Sequence, residues 1–246
     1  MFSYIDTYGY GISVAQGFVG IVCILIGVYF MLFGYRFFRP TLAMTGFVFF
    51  TFMTWIGLVN NEPIQGYPHE EIVYICVSIG LGLLGAILFM LFYYLSIYFI
   101  GTLGGIWLAT YIMSFRENLV IQLVIARVCF IVALGVVMAI LVFLLESYII
   151  IFATSFTGAY LFMLGLDFFV HTGFINAILL IYDGNSNHYN AYIMNRPVYI
   201  MLAFVAVLCV ISFIWQYYWN VHKNQRYFGI NVVHEPPAGE GGEAKA

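Results

Sequence analysis

From Ile72 to Phe115 the chain reads IVYICVSIGLGLLGAILFMLFYYLSIYFIGTLGGIWLATYIMSF, 44 residues without an acid, a lysine or an arginine. One straight helix of that length would run about 66 Å at 1.5 Å per residue. A bilayer's hydrocarbon core is about 30 Å thick and takes about twenty apolar residues per crossing. The stretch therefore folds into two spans, with a tight turn expected near Tyr94–Ser96. The same reading divides Leu119–Val170, where Glu146-Ser147 marks the turn and Ser147 is placed as a helix N-cap.

Working outward, residues 12–38 form a span that Arg39-Pro40-Thr41 breaks, and a second span follows over 41–59, since proline suits a first helical turn. NNEPIQGYPHEE at 60–71 is a polar loop, and DGNSNHYN within the mixed stretch 171–196 is another. The last span runs over 197–220. The expected plan is an all-α polytopic bundle of about seven transmembrane helices: an N-terminal tail at 1–11, a transmembrane domain at 12–220 and a polar, flexible tail at 221–246. FINAILLIY at 174–182 is too short to cross, which leaves an interfacial helix or a re-entrant piece.

Composition agrees, with 64% hydrophobic and 8% charged residues against about 25% charged in soluble domains. The apolar runs are continuous, whereas barrel strands alternate. The net charge of −3 leaves no basic patch for nucleic acid. The first thirty-five residues hold no Lys or Arg, so neither a secretory signal nor a mitochondrial presequence is indicated. Cys23, Cys76, Cys129 and Cys209 each fall inside an apolar run, which favours buried thiols over disulfides or metal ligands. HExxH, GxSxG, Walker and paired-cysteine motifs are absent. His69, His171, His188, His222 and His234 lie outside the spans or at their ends, with no helical pair for haem or copper. No enzyme, cofactor or metal is expected. Spans free of mid-helix proline fit poorly with transporters built on broken helices.

Tight turns join spans 1–2, 3–4 and 5–6. Gly27–Gly46 and Gly85–Gly104 repeat one spacing across the first two, and Gly135–Thr154 keeps it across the third, reading as three hairpins plus one helix. Gly20, Gly27 and Gly34 share one helix face; Gly101 and Gly105 form a GxxxG step, and Thr154 with Gly158 a small-xxx-small step. Small residues let helix backbones approach closely in lipid, here within the bundle first, with pairing between copies as the lesser reading.

Charges within spans need partners or shallow depth. Arg127, early in span five, and Asp167, late in span six, are expected as an ion pair that clamps two helices. Glu146 at one turn faces Arg36 and Arg39 at another, as a contact or as separately solvated groups. His171 is expected as a hydrogen-bonding anchor near Asp167. Arg36, Arg39, Lys223 and Arg226 lie on one side, Arg116 and Arg196 on the other, which predicts N-terminus out and C-terminus in.

Gly34-Tyr35-Arg36-Phe37-Phe38-Arg39 after the glycine-spaced first helix, followed by Thr45-Gly46-Phe47, resembles the transmembrane-protein-198-like family, which includes a domain shared with seven-transmembrane superfamily member 3. With the seven-span plan the resemblance extends over 12–220. It implies a multi-pass protein of eukaryotic membranes without known catalytic activity, and animal relatives are linked to receptor signalling as scaffolds. No site residue is carried over. The expected partners are the lipid bilayer and other membrane proteins, either as a free scaffold or as an accessory subunit of a large assembly. Plasma membrane and organellar inner membrane both fit. The alternative is a channel or transporter with a polar site near Arg127 and Asp167.

Overall fold

In the computed structural model the long apolar stretch breaks at Phe92, whose φ of −103° and ψ of 52° leave the helical region. The structure describes residues 13–117, 119–185, 188 and 191–223. Its helices are α1 (Val14–Phe33), α2 (Phe38–Asn60), α3 (Glu70–Leu91), α4 (Tyr93–Met113), α5 (Val124–Leu144), α6 (Glu146–Val170), α7 (Ile175–Tyr182) and α8 (Arg196–Gln216), the last continuing in π-helical turns over Tyr217–Lys223. Seven of them are long and apolar enough to cross a membrane, and no strand occurs among the described residues. The tail at 1–11 and residues 224–246, with Arg226 and His234, lie outside the described residues.

The α3–α4 break falls two residues before the expected turn. Ser96 sits inside α4, and its hydroxyl donates at 2.9 Å to the Phe89 carbonyl, which the break has released, and at 2.9 Å to the Phe92 carbonyl. The α5–α6 break is at Leu145, so Ser147 is not an N-cap; it lies in the first turn of α6. α5 starts at Val124, later than expected. Leu119 is buried in a left-handed conformation, and the Leu119 and Val120 amides bond back to Arg116 and Met113.

Helices joined by the tight turns barely pack on each other. α1 runs along α6, α2 along α3 and α4 along α5, while α8 lies against α6. The repeated sequence unit is thus not the packing unit. α6 and α4 form the centre.

The exchange of partners follows from glycine. A Cβ on Gly27 would stand 2.7 Å from the Phe162 nitrogen and 2.8 Å from the Gly158 oxygen, and one on Gly158 would stand 2.8 Å from the Gly27 oxygen. Gly20 meets Gly165 in the same way, and Gly34 meets Thr154. This antiparallel seam lets the α1 and α6 backbones touch. Gly46 and Gly85 do the same for α2 and α3. Gly101 and Gly105 abut Met138 and Leu134 of α5. The close faces are all used within the chain. Of the cysteines, which are free thiols, Cys209 is buried, but Cys76 and Cys129 point outward, contrary to the expectation of buried thiols.

The α1–α2, α3–α4 and α5–α6 connections mark the turn end of the bundle. The α2–α3 and α4–α5 loops and the segment around α7 mark the loop end.

Candidate functional site

The loop end is organised around α7. α6 stops at Val170, and His171 follows in the left-handed conformation with φ 56°. The chain turns back through Gly173 at φ 95° into the eight residues of α7. A helix so short has an unsatisfied N–H or C=O on nearly every residue. Asp167, one turn before the end of α6 and fully buried, answers the first of these. Its carboxylate accepts from the Thr172 amide at 2.8 Å, from the Thr172 hydroxyl and from the Ile175 amide at 2.8 Å. Ile175 is the first residue of α7.

The other end of α7 is met by two side chains. Arg127 Nη1 donates to the Leu180 carbonyl at 3.0 Å, and Asn60 Nδ2 donates to the Tyr182 carbonyl at 2.8 Å. The carboxylate thus lies at the positive pole of α7 and the guanidinium at its negative pole, the favourable placement for both. The expected Arg127–Asp167 ion pair is not how these charges are met: each takes backbone partners on α7. Arg127 is 6% exposed, and its guanidinium is held at that carbonyl.

α7 buries Ala177, Ile178 and Ile181 in the main core, together with Phe174 just before it. Phe52 packs between Trp107, at 4.8 Å, and Tyr182, at 4.9 Å; Tyr160 lies 4.9 Å from Trp107 and 5.1 Å from Phe174. The Tyr182 hydroxyl pairs with Thr110 Oγ1 at 2.7 Å, and the Tyr192 hydroxyl donates to the Ser114 carbonyl at 2.7 Å. Burial raises both phenols above the ordinary tyrosine range. Beyond α7, His188 Nδ1 lies 2.7 Å from Asp183 and Nε2 3.5 Å from Glu62, while Asn185 Nδ2 donates to the Glu62 carbonyl at 3.0 Å. These contacts stitch the α2–α3 loop to the chain after α7.

At the turn end, where Arg36 or Arg39 in contact with Glu146 and separately solvated groups were both open, the Tyr35 hydroxyl donates to Ser147 Oγ at 2.9 Å and joins the two turns. The exposed Arg36 stacks 5.3 Å from the Phe37 ring centroid, and Arg39 is exposed. Behind them Gln216 is fully buried. Its Nε2 donates to the carbonyls of Phe30, at 2.9 Å, and Met31, at 3.0 Å, and its Oε1 accepts from the Tyr35 amide at 2.9 Å. Ser212 adds a bond to the Met31 carbonyl at 2.8 Å. α8 therefore caps the C-terminus of α1. Sequence reasoning missed this pair. The signal was there: two polar residues four apart on one face of an apolar helix.

Among the described residues, no group of His, Cys, Asp and Glu is placed to hold a metal ion. The acidic and basic residues of the seven spans all lie in terminal turns: Arg39, Glu70, Glu71, Arg127, Glu146, Asp167 and Arg196.

Residues 20–217 match the family model described as the TM7S3/TM198-like domain. No curated protein and no solved structure matches the chain.

Proposed function

The chain belongs to the TM7S3/TM198-like domain family, which is not a known enzyme family, and from that premise we propose that it works without catalysis, as a membrane scaffold or an accessory subunit of a larger membrane assembly. The observation that carries this reading is the confinement of charge to the terminal turns, with the interior closed by glycine seams. A conducting or transporting protein needs polar groups along a path, and intramembrane ionisable residues mark such paths. Here Arg127 and Asp167 are engaged by the two ends of α7. That weighs against the channel or transporter reading.

The surface left for partners is the outward side of the bundle. α3 and α5 carry long apolar outer faces, shared between lipid and any protein neighbour. Arg36 and Arg39 at the turn end, against Arg116 and Arg196 at the loop end, are joined by Lys223 in favouring N-terminus out and C-terminus in.

The test is solubilisation of the native membrane in mild detergent, a native gel, and mass spectrometry of the band that holds this chain. Migration with a fixed set of partners is the expected result. Migration alone, together with ion or solute flux in reconstituted vesicles that Asp167→Asn abolishes, would replace the proposal with the transport reading.

A further inference from the structure

Between the α4–α5 connection and the start of α8 lies an open cleft of about 450 Å³, lined by Phe115, Arg116, Glu117, Gln122, Met194 and Tyr199. Small-ligand sites have this volume. Its two walls are fastened to each other: the Met194 amide donates to Glu117 Oε1 at 3.4 Å, and the nearby Tyr192 hydroxyl donates to the Ser114 carbonyl at 2.7 Å. Two opposite charges line the cleft without pairing. Arg116 is exposed and makes no ion pair or hydrogen bond among the described residues, with Glu117 or with any other group. The Gln122 side chain and the Tyr199 hydroxyl are likewise without a hydrogen bond among the described residues.

Three spans end here. Arg116 lies three residues past the end of α4, Gln122 two before the start of α5, and Tyr199 in the first turn of α8. The cleft therefore opens at the depth of the lipid headgroups, which flank the hydrocarbon core. A group that answers a positive and a negative side chain together carries both signs itself. A phosphate takes the guanidinium through charge-assisted bonds. A quaternary ammonium takes the carboxylate and the aromatic faces of Phe115 and Tyr199. Val120 and Leu123 in the same loop are apolar and exposed, which suits the acyl part of a lipid and offers nothing to a soluble zwitterion. We propose that this cleft seats the headgroup of a zwitterionic, choline-type phospholipid, with its phosphate on Arg116 and its ammonium on Glu117.

The test uses the full chain in nanodiscs of equal phosphatidylcholine and phosphatidylglycerol, released for native mass spectrometry. One retained phosphatidylcholine is the expected result. Arg116→Gln and Glu117→Gln should each lower the retained fraction about tenfold, the loss of one charge-assisted bond. Arg116→Lys, which keeps the charge, should retain most of it. Arg36→Gln is the control: that arginine is exposed at the turn end, and its loss should change nothing. No retained lipid, or equal retention in the parent chain, Arg116→Gln and Arg36→Gln, overturns the proposal. So does retention of phosphatidylglycerol in preference to phosphatidylcholine. Binding of soluble glycerophosphocholine as tight as that of the phospholipid overturns the lipid assignment and identifies a free zwitterion.

Discussion

Arg127 and Asp167 hold opposite ends of one short helix. The guanidinium lies 3.0 Å from the Leu180 carbonyl, and the carboxylate lies 2.8 Å from the Ile175 amide. α7 stands between them with its dipole aligned to both. Neither α5 nor α6 needs the other's charge at this place, because the backbone of α7 supplies a pole for each. An eight-residue apolar helix would not persist alone. Here it is fastened by side chains from α2, α5 and α6 and sealed by its own apolar face.

This arrangement distinguishes itself from a direct ion pair by charge exchange. Asp167→Ala leaves the Thr172 and Ile175 amides without an acceptor and should cost about 3 kcal/mol, since bonds to a charged group are worth about 1.5–3 kcal/mol each. The swapped double variant Arg127→Asp with Asp167→Arg should be no better than the worse single variant, because each charge would then face the wrong pole. A direct pair would be rescued by the swap. Thermal unfolding in detergent of the three variants decides between the two, and recovery in the double would sink the clamp.

The glycine seam makes a prediction with an internal control. At Gly27 a methyl group would meet Phe162 and Gly158 backbone atoms at 2.7 and 2.8 Å, and backbone does not step aside as a side-chain tip can. Gly27→Ala should push α1 from α6 and lose about 1–3 kcal/mol. Gly57 and Gly80 are helical glycines with nothing within 4 Å of an added methyl. Alanine there should be neutral or stabilising by up to about 1 kcal/mol. Equal melting shifts at Gly27 and Gly80 would mean that the seam carries no packing constraint.

The seven spans were legible because hydrophobic length is a local property. The 44-residue stretch had to fold back wherever its turn fell. The turn positions slipped by a residue or two because Phe92 breaks its helix without proline, glycine or charge to announce it, and Leu145 breaks its own one residue before the charge that does. Gly20, Gly27 and Gly34 were visible as a face, but which helix that face meets depends on tertiary packing, and Gly165 completes the seam unannounced. Charge was misread for a related reason. Arg127 and Asp167 lie at the same end of neighbouring spans, and pairing opposite charges is the simplest guess. The poles of α7 come into existence only once α7 docks. His188, Asn60 and Gln216 went unread because their partners are backbone atoms or distant carboxylates.

Alkaline pH should loosen the loop end. Burial holds the Tyr182 and Tyr192 phenols above the ordinary tyrosine value. A group whose folded value is raised contributes its full stability below its unfolded value, about pH 10, and loses it as pH climbs towards the folded one. Melting temperature should therefore be flat from pH 8 to about 10 and fall above that. In Tyr192→Phe the starting value should be lower, for the lost bond to Ser114, and the alkaline fall shallower. A fall of unchanged steepness in both Tyr182→Phe and Tyr192→Phe would remove these phenols as its cause.

Gln216 is the sharpest single test of the turn end. The end of α1 at Phe33 frees the Met31 carbonyl and leaves that of Phe30 with the Gly34 amide, and the chain then turns so that the Tyr35 amide faces inward. One side chain from α8 meets all three, donating to two and accepting from one. Gln216→Leu keeps much of the bulk and removes both functions. Ser212 still reaches the Met31 carbonyl, and the Gly34 amide still reaches the Phe30 carbonyl, so the bond lost without replacement is the one from the Tyr35 amide. At about 1–3 kcal/mol for a buried group left unsatisfied, the variant should lose about 1–3 kcal/mol. Gln216→Glu should do no better, since a carboxylate keeps the acceptor and gives up both donations. Hydrogen exchange makes the readout local. The Tyr35 amide, protected in the parent chain, should exchange faster in Gln216→Leu, while amides at the centre of α6 keep their protection relative to the new global stability. Unchanged protection at Tyr35 would mean that the turn holds itself and that α8 merely lies against it.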